Sequence, residues 1–187
     1  MPSTKIDTHF LESSELIKRS LPTLKRPILK STQLITRTFK SGGKLLICGN
    51  GGSAAQSQHF AAELVGRYLK ERQAMPAIAL TTDTSALTAI SNDYGFSHVI
   101  SRQLQALAKP GDVLFCISTS GNSSNVLKAA KLAKTLKLKT ISLTGNSGKL
   151  KNICDINLSV PSSVTPLIQE VHLVIIHTIC DLIESFL

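Results

Sequence analysis

Five short apolar runs rich in β-branched residues recur along the chain, at Lys44–Cys48, Ala77–Leu80, Val113–Ile117, Thr140–Leu143 and Ile156–Val160, separated by longer segments with helical spacing. Strands that are apolar on both faces cannot border water, and their alternation with helices is the pattern of a parallel sheet covered on each side. The expected fold is therefore α/β, a three-layer αβα sandwich on a five-stranded parallel sheet. Before the first strand lie about forty residues with apolar positions at helical intervals, Phe10, Leu11, Leu16, Ile17, then Leu34, Ile35 and Phe39. Ser41-Gly42-Gly43 closes them as a helix stop, so residues 1–41 read as N-terminal helices that need a surface to bury against. The segment from Pro166 to Leu187 is apolar almost all the way round, which a surface helix cannot sustain, so it should be buried, with another subunit as the expected cover. No repeat, low-complexity tract or linker divides the chain, and residues 1–187 are expected to form a single domain.

The loop between the third strand and the next helix, Ser118-Thr119-Ser120-Gly121-Asn122-Ser123-Ser124-Asn125, concentrates hydroxyls and amides around one glycine. At such a place backbone N–H groups and the positive end of a helix dipole converge, and hydroxyls add donors able to wrap a tetrahedral anion. It reads as a phosphate cradle, against the plainer alternative of a polar turn with Ser or Asn as N-cap. The first strand runs into Gly49-Asn50-Gly51-Gly52-Ser53, which imitates a dinucleotide fingerprint. The next strand's acid, Asp83, falls 34 positions beyond Gly49, too far for the ribose contact expected at roughly twenty.

His59 and Glu63 are four apart and share one helix face, where they can ligate one metal, transfer protons as a pair, or form a simple helix-face hydrogen bond. On the last helix Gln169 and His177 lie about 80° apart around the axis and can converge, whereas His172 points about 140° away from His177.

The formal charge of +9 is spread along the chain rather than clustered, and only 4% of residues are aromatic. Base stacking is thus poorly served, no nucleic-acid partner is expected, and either a solvated basic surface or a field attracting anionic substrates explains the charge. Cys48, Cys116, Cys154 and Cys180 form no C-x-x-C pair and two lie in apolar strands, so they read as buried thiols in a reducing compartment. Met1 to Phe10 lacks a signal-like apolar stretch, and the apolar run Leu173–Ile183 is broken by His177 and Asp181. The expected location is the cytoplasm, away from membranes.

Taken in order, CGNGGSAAQSQHFAAELVGRY, PAIALTTDTSALTAISNDYGF, GDVLFCISTSGNSSNV and IQEVHLVIIHTICDLIE resemble the phosphoheptose isomerases of the sugar isomerase (SIS) fold, nearly throughout from Gly42 onward. The resemblance implies a flavodoxin-like sheet, a homotetramer built with the help of residues 1–41, sites at subunit interfaces, and one zinc per subunit. It implies that a phosphorylated seven-carbon sugar, sedoheptulose 7-phosphate, becomes D-glycero-D-manno-heptose 7-phosphate through an enediol, the first step toward activated heptose for lipopolysaccharide or other surface glycans. By the same resemblance Asn50, Gly51, Gly52 and Ser53 line the sugar site, with Asn92 and Asp93 binding open-chain hydroxyls. Ser118, Thr119, Ser120 and Ser123 hold the phosphate. His59, Glu63, Gln169 and His177 are the implied zinc ligands, Glu63 and Gln169 also touch substrate, and Glu63 with His177 is the acid/base pair. Leu167 stands where many members carry Arg, and Asn146-Ser147-Gly148-Lys149 replaces a more glycine-rich turn. A similar group of non-catalytic proteins binds the replication initiator but lacks the carboxylate and imidazole that match Glu63 and His177; a phosphosugar-sensing regulator is the other alternative.

Overall fold

The computed structural model describes residues 2–186. Strands β1 (Leu45–Cys48), β2 (Ala77–Ala79), β3 (Val113–Ser118), β4 (Lys139–Thr144) and β5 (Ile156–Ser159) form one parallel sheet of order β2-β1-β3-β4-β5. In register, Leu45 faces Val113 across the β1/β3 pair and Cys48 faces Cys116. Helices α1 (Pro2–Lys40), α2 (Gly52–Val65), α3 (Thr84–Tyr94), α4 (Val99–Leu107), α5 (Ser124–Thr135) and α6 (Thr165–Phe186) cover its faces.

Period-two alternation along each strand divides the interior into two cores. Leu45, Ile47, Val113, Phe115 and Ile117 join α1, α2 and α6, while Leu46, Cys48, Leu114 and Cys116 join α4 and α5. The three layers expected from the strand composition are thus built around central strands β1, β3 and β4 that are buried on both faces, while the edge strands β2 and β5 are partly exposed.

The N-terminal segment is one continuous helix, although Pro22 and Pro27 lie inside it. Each proline removes an N–H and crowds the carbonyl four residues back, which ordinarily breaks a helix. Here the helix is held from outside. Leu16, Leu24 and Ile35 are buried in the same core as α6. Arg19 donates to the Pro161 carbonyl at 3.0 Å and Lys40 Nζ to that of Phe186 at 3.1 Å. Gly42, at φ 77°, lets the chain turn out of α1, with the Gly43 N–H on the Thr38 carbonyl at 2.9 Å.

Helix α6 is long and apolar enough to cross a membrane by composition, yet half of its most apolar window is buried within the molecule. Its burial is less complete than an all-round apolar pattern suggests, since Leu173 and Val174 are exposed. These two side chains have no full cover among the described residues.

Candidate functional site

In a doubly wound sheet of order 2-1-3-4-5 the connections from β1 and β3 depart to opposite faces, opening a crevice at their carboxyl ends. Both polar loops singled out in the sequence land there. The β1 loop carries Asn50, Gly51, Gly52 and Ser53, and the β3 loop carries Ser118 to Ser123. Two hydrogen bonds tie them across the crevice: Asn50 Nδ2 donates to Asn125 Oδ1 at 2.9 Å, and Asn125 Nδ2 to Asn50 Oδ1 at 2.8 Å. Asn125 Oδ1 also accepts the Val126 N–H at 3.0 Å, so one amide braces the first turn of α5.

Within the β3 loop, Ser118 Oγ and Ser123 Oγ are 3.1 Å apart, and the Asn122 N–H reaches Ser120 Oγ at 3.2 Å. Ser123 occupies the N-cap of α5 without a side-chain capping bond. Its hydroxyl and the helix N-terminus therefore face the same place, where a tetrahedral anion can be held. The loop is braced from behind by residues 145–150. The Gly145 N–H bonds the Thr119 carbonyl at 2.9 Å, the Leu150 N–H that of Gly121 at 3.1 Å, and the Lys149 N–H Asn122 Oδ1 at 3.0 Å.

Down the length of α2, a second constellation forms with α6. His59 Nε2 lies 2.8 Å from His177 Nε2 and 3.4 Å from Glu63 Oε1. One ligand atom from each residue falls within 4.8 Å of the others. Two imidazoles and a carboxylate are the donor set of a catalytic zinc site that keeps a position open. Metal bonds of about 2.0–2.1 Å in tetrahedral array separate donors by about 3.4 Å. The His59–Glu63 spacing already matches, and the His59–His177 contact would open by roughly half an ångström. Cys180, one turn past His177, is not among the donors that converge; burial, then the Glu63 and Glu184 carboxylates, push its thiol up to about 12. A single chain brings Glu63 and His177 together, so this trio is complete without a neighbouring copy.

Gln169 does not join the trio within one chain. Its terminal amide packs where Gly52 would carry a side chain: a Cβ there would fall 2.9 Å from Gln169 Cδ and closer still to Nε2. The eight residues to His177 rotate the helix by only 80° but advance it by about 12 Å, and the rise outweighs the angle. Gln169 thus stands at the start of α2, beside Gly52, and its backbone carbonyl accepts Gln56 Nε2 at 2.7 Å. Asn92 and Asp93 are exposed near the end of α3 and bonded to each other at 2.9 Å, with no hydrogen bond to either loop among the described residues.

Two contributors lie in motifs that do not reveal their partners. Asn125 lies at the end of the polar loop, but its partner is 75 residues away. Tyr68, whose ring centre is 5.5 Å from that of His177, sits in a segment without periodicity. Only its place at the end of the α2 motif marks it.

A polar crevice at the switch point of a flavodoxin-like sheet, flanked by a His/Glu/His trio, defines a SIS-type α/β protein, and the SIS domain profile matches residues 8–145. Phosphoheptose isomerase of Aliarcobacter butzleri is 56% identical over 177 residues, covering 94% of each chain. The structure of phosphoheptose isomerase from Neisseria gonorrhoeae superposes with a TM-score of 0.94 at 45% identity, covering 99% of this chain and 100% of that one. That of a phosphoheptose isomerase from Francisella tularensis gives 0.96 at 39% identity, covering 99% of each. The chain belongs to the phosphoheptose isomerase family.

Proposed function

We propose that the protein is an aldose–ketose isomerase that converts sedoheptulose 7-phosphate to D-glycero-D-manno-heptose 7-phosphate, supplying the first intermediate of activated heptose for lipopolysaccharide or another surface glycan. The observation that carries the reading is the coexistence of the His59/Glu63/His177 trio with the serine loop. A protein that only bound a phosphosugar, or a partner protein, would need the loop but not an acid/base pair.

The reaction transfers a proton from C1 to C2 and moves the carbonyl from C2 to C1. Glu63 takes the C1 proton, leaving an enediol, and returns a proton to C2. His177 moves the hydroxyl proton between O1 and O2. Asn50, Gly51, Gly52, Ser53 and Gln169, with Asn92 and Asp93, bind the sugar; Ser118, Thr119, Ser120 and Ser123 hold the phosphate. Binding energy gained at the phosphate, remote from C1 and C2, positions the reacting carbons. His59, Glu63 and His177 would hold a zinc, which when bound supplies Lewis-acid polarisation of the substrate oxygens.

Residues 1–187 form one domain in this reading, and the chain assembles as a homotetramer. Ile6, Phe10, Leu11 and Leu21 of α1, together with Leu173 and Val174 of α6, are exposed apolar side chains that support burial against further copies. The four cysteines are free and buried, which supports a cytoplasmic location. The decisive experiment is NMR of purified protein with sedoheptulose 7-phosphate in deuterated water. Aldose signals with deuterium at C2 are expected, and unchanged ketose would refute the assignment.

A further inference from the structure

The segment joining α2 to β2 is irregular, yet it is clamped to α6 by one carboxylate. Glu184 Oε1 accepts the Tyr68 N–H at 2.9 Å and Arg72 Nε at 3.2 Å; Oε2 accepts the Leu69 N–H at 3.0 Å and the Lys70 N–H at 2.8 Å. The Glu184 side chain is 1% exposed. Burial alone would raise its pKa, but the Lys70, Leu69 and Tyr68 N–H groups and the Arg72 charge outweigh that and hold it below the usual carboxylate range.

Both arms of this clamp end at the trio. Through the backbone, Glu184 fixes Tyr68, whose ring lies against His177 at an interplanar angle of 35°. Through Arg72 it reaches the C-terminal end of α2: Nη2 donates to the Glu63 carbonyl at 2.7 Å, and Nη1 to those of Leu64 at 2.9 Å and Gly66 at 3.0 Å. Glu184 follows His177 by seven residues, nearly two full turns, so both project from one face of α6. Simple attachment of a loop would need neither a buried ion pair nor a guanidinium spread over the carbonyl of Glu63 itself.

We infer that Glu184, Arg72 and Tyr68 are positioning residues: Glu184 locks the 68–72 segment so that the Tyr68 ring orients His177 and Arg72 fixes the backbone at Glu63. The inference rests on the assignment of the trio as the reacting centre. Groups that orient metal-binding or catalytic side chains typically change affinity or activity by 10–100-fold when removed.

The test compares Tyr68→Phe, Tyr68→Ala and Glu184→Gln in the full chain. Tyr68→Ala and Glu184→Gln should lower kcat by roughly 10–100-fold with KM changed little, and weaken zinc binding in chelator competition by a similar factor. Tyr68→Phe, which keeps the ring, should retain most of the wild-type kcat and zinc affinity. The His177 ring signals in NMR, free of the ring current in Tyr68→Ala and broadened in Glu184→Gln, read orientation without any turnover. They separate failure of this inference from failure of the isomerase assignment, because an inactive wild type would still report the ring's position. Tyr68 is half-buried, so its variants keep the test open if Glu184→Gln fails to fold. Unchanged His177 signals and kcat in Tyr68→Ala, or an equal loss in Tyr68→Phe, would overturn the positioning role.

Discussion

Gly148 presses on the back of the serine loop, and replacing it with alanine should harm phosphate recognition through a contact that can be worked out in advance. Its backbone, at φ 110° and ψ 156°, lies in a region that only glycine occupies freely, so any side chain costs about 1–3 kcal/mol. A Cβ there would also sit 2.5 Å from Gly121 Cα and 2.7 Å from Gly121 C, and closer to the Ser120 carbonyl oxygen. These are backbone atoms, so the strain moves the loop or stays, adding about 1–3 kcal/mol by analogy with overpacking. Gly95 supplies the control: at φ 81° and ψ 152° it has the same backbone restriction, but a Cβ would meet nothing within 4 Å. Gly148→Ala should therefore lose about 1–3 kcal/mol more than Gly95→Ala, a further fall in Tm of roughly 2–12 °C for a chain this size. Thermal melts at fixed protein concentration measure that difference. Because the displaced atoms belong to Ser120 and Gly121, calorimetric binding of the phosphorylated heptulose should weaken while that of the unphosphorylated sugar stays nearly constant. Equal stability of the two variants, or equal loss for both sugars, would refute the argument.

Other expectations test the trio and the interior. Glu63→Gln should preserve folding and phosphosugar binding but cut turnover by roughly 10²–10⁴-fold, and wild-type rates in that variant would remove Glu63 as the base. Protein purified without chelator should contain near-stoichiometric zinc by elemental analysis, lost in His59→Ala; full activity in metal-free protein would count against the site. His172 is fully buried, and burial, opposed in part by the Thr144 backbone, pushes its imidazole down to about 4. The unfolded chain takes up this proton near pH 6.5 and the folded chain only near 4, so stability present above 6.5 should fall by on the order of 3 kcal/mol between those values. Denaturation of His172→Leu across that range should show a flatter pH dependence; an unchanged slope would assign the acid sensitivity to other groups.

The sheet was legible because β1, β3 and β4 are buried on both faces, leaving continuous apolar runs that no surface element would carry. The two polar loops were legible because each is contiguous and lies directly after a strand. His59 and Glu63 are one helical turn apart, so spacing alone places them together. What spacing could not supply was depth along an axis. Gln169 has the right angle relative to His177 but within one chain stands about 12 Å along the axis from it, beside Gly52. Nor could local propensity foresee an unbroken α1 across two prolines, since contacts with residues more than a hundred positions away help to hold it. Tyr68 and Asn125 lie in stretches the sequence singles out, but their roles depend on distant partners that no local pattern names.

The packing of α1 on α6 also orders events during synthesis. A ribosome adding about 5–20 residues per second takes about 6–25 s to pass from Lys40 to Thr165. For that interval α1 carries Leu16, Leu24 and Ile35 on a face whose cover has not been made. An isolated helix interrupted by two prolines is a weak structure in water, so the segment emerges as a frayed, sticky strand of sequence rather than a finished rod. Completion of the molecule is thus a closing event in which early and late parts of the nascent chain meet, and the burden of keeping the early part soluble falls on its many lysines and arginines and on the cell's chaperones.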